Sequence, residues 1–178
     1  RFALKTCSQM RCAPCAFADA NVTAPPVNNA DFDLGSDALK AKDWDRAVQH
    51  LAIAAKAEPA NADVQNLLGY AYRNQRKYDL AFVHYKEALR LNPEDAAVHF
   101  ALGDFYETRG RLDLAQKEYD AALVADPNFG PAHSALGWLA LGRQHMQAAY
   151  EAFNRALKAN DQDPRAYHGI AEYYSQKG

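Results

Sequence analysis

Four glycines, Gly35, Gly69, Gly103 and Gly137, stand 34 residues apart, and Ala171 occupies the next step of the series. A chain that repeats itself at this interval has to stack its units, because a unit so short cannot bury an apolar face alone. Other columns keep the same register. Leu34, Leu68, Leu102, Leu136 and Ile170 precede the small residues. Two alanine ladders run through Ala47, Ala81, Ala115 and Ala149 and through Ala54, Ala88, Ala122 and Ala156. Large apolar residues, Leu51, Tyr85, Tyr119 and Phe153, lie between those ladders, and Pro59, Pro93 and Pro127 close three units. These columns stay aligned without an insertion.

Within a unit the apolar residues recur three or four apart, as in Leu67, Leu68, Ala71, Tyr72 and then Ala81, Tyr85, Ala88, Leu89. That spacing predicts two helices per unit. The turns between them are expected at Ala41-Lys42-Asp43-Trp44-Asp45, Arg76-Lys77-Tyr78-Asp79 and Gly110-Arg111-Leu112-Asp113. Glycine and alanine mark the close approach of the two helices, since a larger side chain pushes the axes beyond about 8–10 Å. The prolines end second helices by removing a donor and clashing with the preceding turn. Asp163-Pro164 reads as a helix start, with an acceptor at the cap and proline in the first turn.

Charge and composition exclude several functions. Lys+Arg 20 against Asp+Glu 22 leaves no basic excess with which to neutralise a phosphate backbone, so nucleic acid is not the expected partner. A hydrophobic content of 49% excludes a disordered acidic tail. No apolar run reaches the roughly 18 residues of a membrane-spanning helix. His99 and His133 are equivalent positions in neighbouring units, as are His50 and His84. Ligands about 10 Å apart cannot share a zinc ion bound at about 2 Å, so no metal site and no cofactor are expected. Nor do polar residues converge as a catalytic group, and the chain reads as non-enzymatic.

All three cysteines, Cys7, Cys12 and Cys15, fall in the first 15 residues. Cys12-Ala-Pro-Cys15 resembles the C-x-P-C motif of thioredoxin-like oxidoreductases, but the strand and helix that such a motif needs do not surround it. As metal ligands the three cysteines lack a paired fourth. A redox or metal protein built on them is therefore an alternative reading. Residues 1–27 read as a leader and linker, irregular or processed. Ala18 and Ala20 suit a signal-peptidase site, which puts an exported, periplasmic location ahead of a cytoplasmic one.

The unit resembles the tetratricopeptide repeat, through Leu68-Gly69-x2-Tyr72, Ala81-x3-Tyr85 and Pro93, and again through Leu102-Gly103-x2-Tyr106, Ala115-x3-Tyr119 and Pro127. Asn66-Leu-Leu-Gly-Tyr-Ala-Tyr-Arg73 looks similar to repeats of exported bacterial members. The resemblance implies an all-α superhelix of four repeats, 28–61, 62–95, 96–129 and 130–163. Residues 164–178 follow as a capping helix or as a truncated first helix of a fifth repeat.

It also implies a concave groove lined by first helices, which binds a peptide segment of a protein partner. Carried onto this chain, the groove positions are Asn66, Tyr70, Arg73 and Asn74, then Phe100, Asp104 and Glu107, then Ser134, Trp138 and Leu141. Tyr70, Phe100 and Trp138, with Phe32, put about one aromatic per repeat on a face that is otherwise polar, and such residues are common binding hot spots. Co-chaperone members grip C-terminal carboxylates with lysine, asparagine and arginine. At the matching places this chain has Phe32, Ser36, Leu67, Ala97 and Ala101, or, one repeat later, Asn66, Tyr70, Ala101, Pro131 and Ala135. A chaperone tail is not the expected ligand. Tyr173 and Tyr174, bare on the last helix, make a self-assembling homo-oligomer the remaining alternative.

Overall fold

The computed structural model describes residues 30–177, and the segment read as a leader, the three cysteines and the expected signal-peptidase site lie outside them. The described residues form helices only, in the order α1 (Ala30–Lys40), α2 (Trp44–Ala57), α3 (Ala62–Asn74), α4 (Tyr78–Leu91), α5 (Ala96–Thr108), α6 (Leu112–Ala125), α7 (Gly130–Gly142), α8 (Met146–Ala159) and α9 (Pro164–Lys177). The pairs α1–α2, α3–α4, α5–α6 and α7–α8 stack in sequence into an all-α superhelix.

The turn inside each pair is tighter than the sequence reading placed it, because Trp44, Tyr78 and Leu112 already begin the second helix. The backbone explains the economy. Lys42, Arg76, Gly110 and Gln144, again 34 apart, take positive φ between 59° and 68°. The next amide then reaches back five residues: Asp43 to the Ala38 carbonyl, Lys77 to Tyr72, Arg111 to Tyr106 and His145 to Ala140, each at 2.9 Å. A left-handed residue followed by this bond is the Schellman closure of a helix. Only Gly110 meets the conformation with glycine.

Between pairs, the amides of Glu58, Asn92, Asp126 and Asn160 bond at 2.8 Å to the carbonyls of Ala54, Ala88, Ala122 and Ala156. Asn61, Asp95 and Asp163 then accept amides of the following first turn. At the remaining member of that column stands Phe129, whose side chain makes no capping bond, and Pro131 occupies the first turn of α7 instead.

The glycine ladder marks helix contacts at their closest. A Cβ built on Gly35 would lie 2.6 Å from Leu51 Cγ, on Gly69 2.6 Å from Tyr85 Cδ1, on Gly103 2.3 Å from Tyr119 Cε1 and on Gly137 2.5 Å from Phe153 Cε1. Leu51, Tyr85, Tyr119 and Phe153 are completely buried. Each also meets the first helix of the next unit. Where the buried side chain is aromatic, the facing residue is small, Ala101, Ala135 or Gly169; where it is Leu51, the neighbour is Leu67. A bulky aromatic is thus met by a small neighbour and a smaller leucine by a larger one, as a close-packed interior requires.

Direct contacts join α1 to α3 and α7 to α9, while no contact as extensive joins successive second helices among the described residues. On α9, Tyr173 is not bare as expected: it is buried against Tyr150 with ring centroids 4.9 Å apart, and Tyr174 alone of the pair stays exposed. No described helix is long and apolar enough to cross a membrane.

Candidate functional site

A cavity of about 330 Å³ opens on the first-helix face between the second and third units. α3 supplies Asn66, Leu67, Tyr70 and Arg73, and α5 supplies Ala97, Phe100 and Ala101, with Tyr85 of α4 beneath. Helical spacing of three or four puts Asn66, Tyr70 and Arg73 on one stripe of α3. Ala97 and Ala101 leave the opposite wall low, which creates the space.

The polar groups around it are mostly engaged with one another. Arg73 Nη2 donates to Asp104 Oδ2 at 2.9 Å and so ties α3 to α5. The Tyr119 hydroxyl donates toward Asp104 at 3.0 Å and Glu107 at 2.5 Å. Burial, together with those two acidic neighbours, pushes the Tyr119 pKa far up. One member of the same column differs. The Tyr85 hydroxyl is sealed from water and has no hydrogen-bond partner. Burial raises its pKa strongly, and the Arg73 guanidinium, whose charge and donor capacity reach toward the hydroxyl oxygen while it also holds Asp104, pulls the other way but offers no acceptor for the hydroxyl proton. A buried hydroxyl left unpaired costs about 1–3 kcal/mol, so this pocket floor holds an unmet donor.

Tyr70 is exposed and meets Trp44 edge-on at 6.0 Å. Asn74 is spent locally, its Nδ2 donating to the Tyr70 carbonyl at 2.8 Å. Phe100 lines the cavity but also packs on Tyr119 at 5.6 Å and Phe129 at 5.7 Å, so it belongs to the junction with the fourth pair as much as to the groove. Farther along, Trp138 packs edge-on against Phe153 at 5.7 Å and His168 at 5.1 Å, and it borders a second opening with Gly142, Glu172 and Gln176.

Two expected groove positions are placed differently. Ser134 is 0% exposed, and its hydroxyl donates to Asp163 Oδ2 at 2.5 Å, while Asp163 Oδ1 accepts the Arg165 amide at 2.9 Å. The serine therefore braces the start of α9 from inside the stack. Leu141 is 5% exposed and packs with Phe153 and Ala166, forming only the floor beside Trp138. Both shifts have one cause: α9 lies across α7 and covers that stretch. Conversely, the sequence reading passed over Tyr85 as a groove element. Its signal was present in the column itself, where Leu51 and Phe153 carry no hydroxyl and Tyr85 does.

Two family models, both described as tetratricopeptide repeat, match residues 32–83 and 72–139, which run together without a gap over more than half of the 178 residues. Among solved structures, the chain is similar to Pseudomonas aeruginosa pilF, with TM-score 0.76 and 22% identity over 84% of this chain and 68% of that one. It is similar to the MamA protein, with TM-score 0.67 and 22% identity over 84% and 81%. It also resembles a thermophilic tetratricopeptide repeat protein of Thermus thermophilus, with TM-score 0.69 and 23% identity over 84% and 81%. At these identities the likeness concerns the fold. No curated protein sequence is matched.

Proposed function

Since the chain belongs to the tetratricopeptide repeat family, whose members are generally protein-interaction scaffolds, we propose that it is a non-enzymatic scaffold that holds a peptide segment of a protein partner in its concave groove. The observation that carries this reading is the cavity between α3 and α5, apolar along Leu67, Ala97, Phe100 and Ala101, with the Tyr85 ring below. An apolar anchor from the partner gains by leaving water there. Tyr70 and Asn66 flank the entrance, and Trp138 offers a second anchor point farther along the groove. Asp104 and Glu107 are engaged by Arg73 and Tyr119, so they hold the wall in place instead of contributing free charge.

The test is titration calorimetry with a partner first isolated on the immobilised full chain. Tyr70→Ala and Trp138→Ala weaken binding by about 2 kcal/mol, roughly thirtyfold, while helix content is unchanged. Unaltered affinity in both variants removes the groove from consideration.

A further inference from the structure

Three of the four helix pairs carry the same internal clasp. A histidine Nδ1 on one helix meets an oxygen acceptor 19 residues away on the other, always at 2.8 Å: His50 with Asp31, His84 with Gln65 and His99 with Glu118. The third is the most telling. His99 Nε2 also meets the Pro93 carbonyl at 3.0 Å. With an acceptor at each ring nitrogen, the doubly protonated imidazolium satisfies both. In the fourth pair His133 repeats half of this arrangement, Nε2 to the Pro127 carbonyl at 3.0 Å, but the residue 19 positions on is Ala152.

The missing side chain leaves space. A cavity of about 310 Å³ lies between α6 and α8 over α7, bordered by His133 and Ala152, and it shares no residue with the concave groove. The charged and titratable groups around it are Arg155 of α8, Arg143 and His145 of the preceding turn, and Asp120 of α6. Arg143 is occupied by Gln116 and Asp113. The side chains of Arg155 and His145 have no hydrogen-bond or ion-pair partner among the described residues, and Asp120 is the one opposing acid in the cleft wall.

We propose that this cleft binds a carboxylate side chain, glutamate or aspartate, from a partner protein, which stands where Glu118 stands in the pair before it. The carboxylate accepts from His133 Nδ1 and from the Arg155 guanidinium, both within the cleft wall. His133 Nε2–H is already committed to a carbonyl, so its Nδ1 becomes a donor only when the ring takes up a second proton. Binding is therefore coupled to proton uptake and strengthens toward the acid side of the imidazole range.

The probes are N-acetylglutamate N-methylamide and its neutral glutamine counterpart, titrated at equal ionic strength into the full chain and followed by amide and histidine-ring NMR. The glutamate probe shifts the His133 and Ala152 signals saturably, and more tightly near pH 6 than near pH 8; the glutamine probe does not. Arg155→Gln, on an exposed position, weakens the response about tenfold, the worth of one charge-assisted bond. Ala152→Glu supplies the carboxylate internally and abolishes the response. Absence of any shift, equal shifts by both probes, affinity independent of pH, or an undiminished response in Ala152→Glu each overturns the proposal.

Discussion

Tyr85 and Tyr119 form a natural comparison for the cost of a buried hydroxyl. Both rings are 0% exposed, occupy the same column and are pinched against a glycine, at Gly69 and Gly103. Replacing either by phenylalanine removes one oxygen and leaves the ring packing in place. For Tyr119 the oxygen's proton is shared between Asp104 and Glu107. A hydrogen bond to a charged group contributes about 1.5–3 kcal/mol, and water can partly replace it at the half-buried carboxylates, so Tyr119→Phe destabilises by about 2 kcal/mol. The Tyr85 oxygen has no partner. Deleting it relieves a desolvation penalty of about 1–3 kcal/mol, less the cost of a small void, so Tyr85→Phe stabilises the free protein by about 1 kcal/mol. In thermal unfolding, at about 2–4 °C per kcal/mol for a chain of this size, the two melting points move in opposite directions. Melting shifts of the same sign, or a Tyr85→Phe protein less stable than the parent by more than about 0.5 kcal/mol, refute the assignment of Tyr85 as the unmet donor.

Gly103→Ala places a methyl 2.3 Å from Tyr119 Cε1, on a ring with Ala135 in the same core cluster, and is expected to lose about 2 kcal/mol in urea unfolding. Gly142→Ala, with nothing within 4 Å, serves as its control and changes stability by less than about 0.5 kcal/mol; equal losses in the two variants contradict the close-contact reading. Alkaline titration gives a second check. Burial raises the pKa of Tyr85 and Tyr119 above the usual 10.0, so above that pH the unfolded chain releases protons that the native state retains, and stability falls as pH rises. The Tyr85→Phe/Tyr119→Phe double variant loses less stability between about pH 9 and 11 than the parent, and parallel curves argue against buried, protonated tyrosines.

Much of the architecture was legible in the linear order of residues. A period of 34 with no insertion requires identical stacked units, and glycine facing a large apolar residue in each unit marks a contact between helices. The start of α4 at Tyr78 and of α6 at Leu112 was less legible, because the turn is set by one residue at positive φ and a five-residue back-bond, and three of its four instances use Lys42, Arg76 and Gln144 in place of glycine. Such a conformation leaves little trace in residue type.

The candidate groove divides in the same way. Periodicity identifies which side chains share the face of one helix, and Asn66, Tyr70, Arg73 and Phe100 do border one cavity. What a neighbouring helix does to that face depends on distances between elements far apart in the chain. Ser134 and Leu141 sit in groove register, yet α9 covers them. Arg73 and Asp104, 31 residues apart, are spent on each other. The hydroxyl of Tyr85 is orphaned while that of Tyr119, one unit later, is doubly accepted, and the vacancy opposite His133 exists because Ala152 lies across the helix pair from it. The amino-acid order by itself determined the repeating unit and its packing columns, since those depend on local helical geometry repeated four times. Which polar groups are satisfied, which are sealed and which face an open cleft was decided only by the tertiary structure, because a hydrogen bond is made or lost within a few tenths of an ångström between helices that periodicity cannot measure.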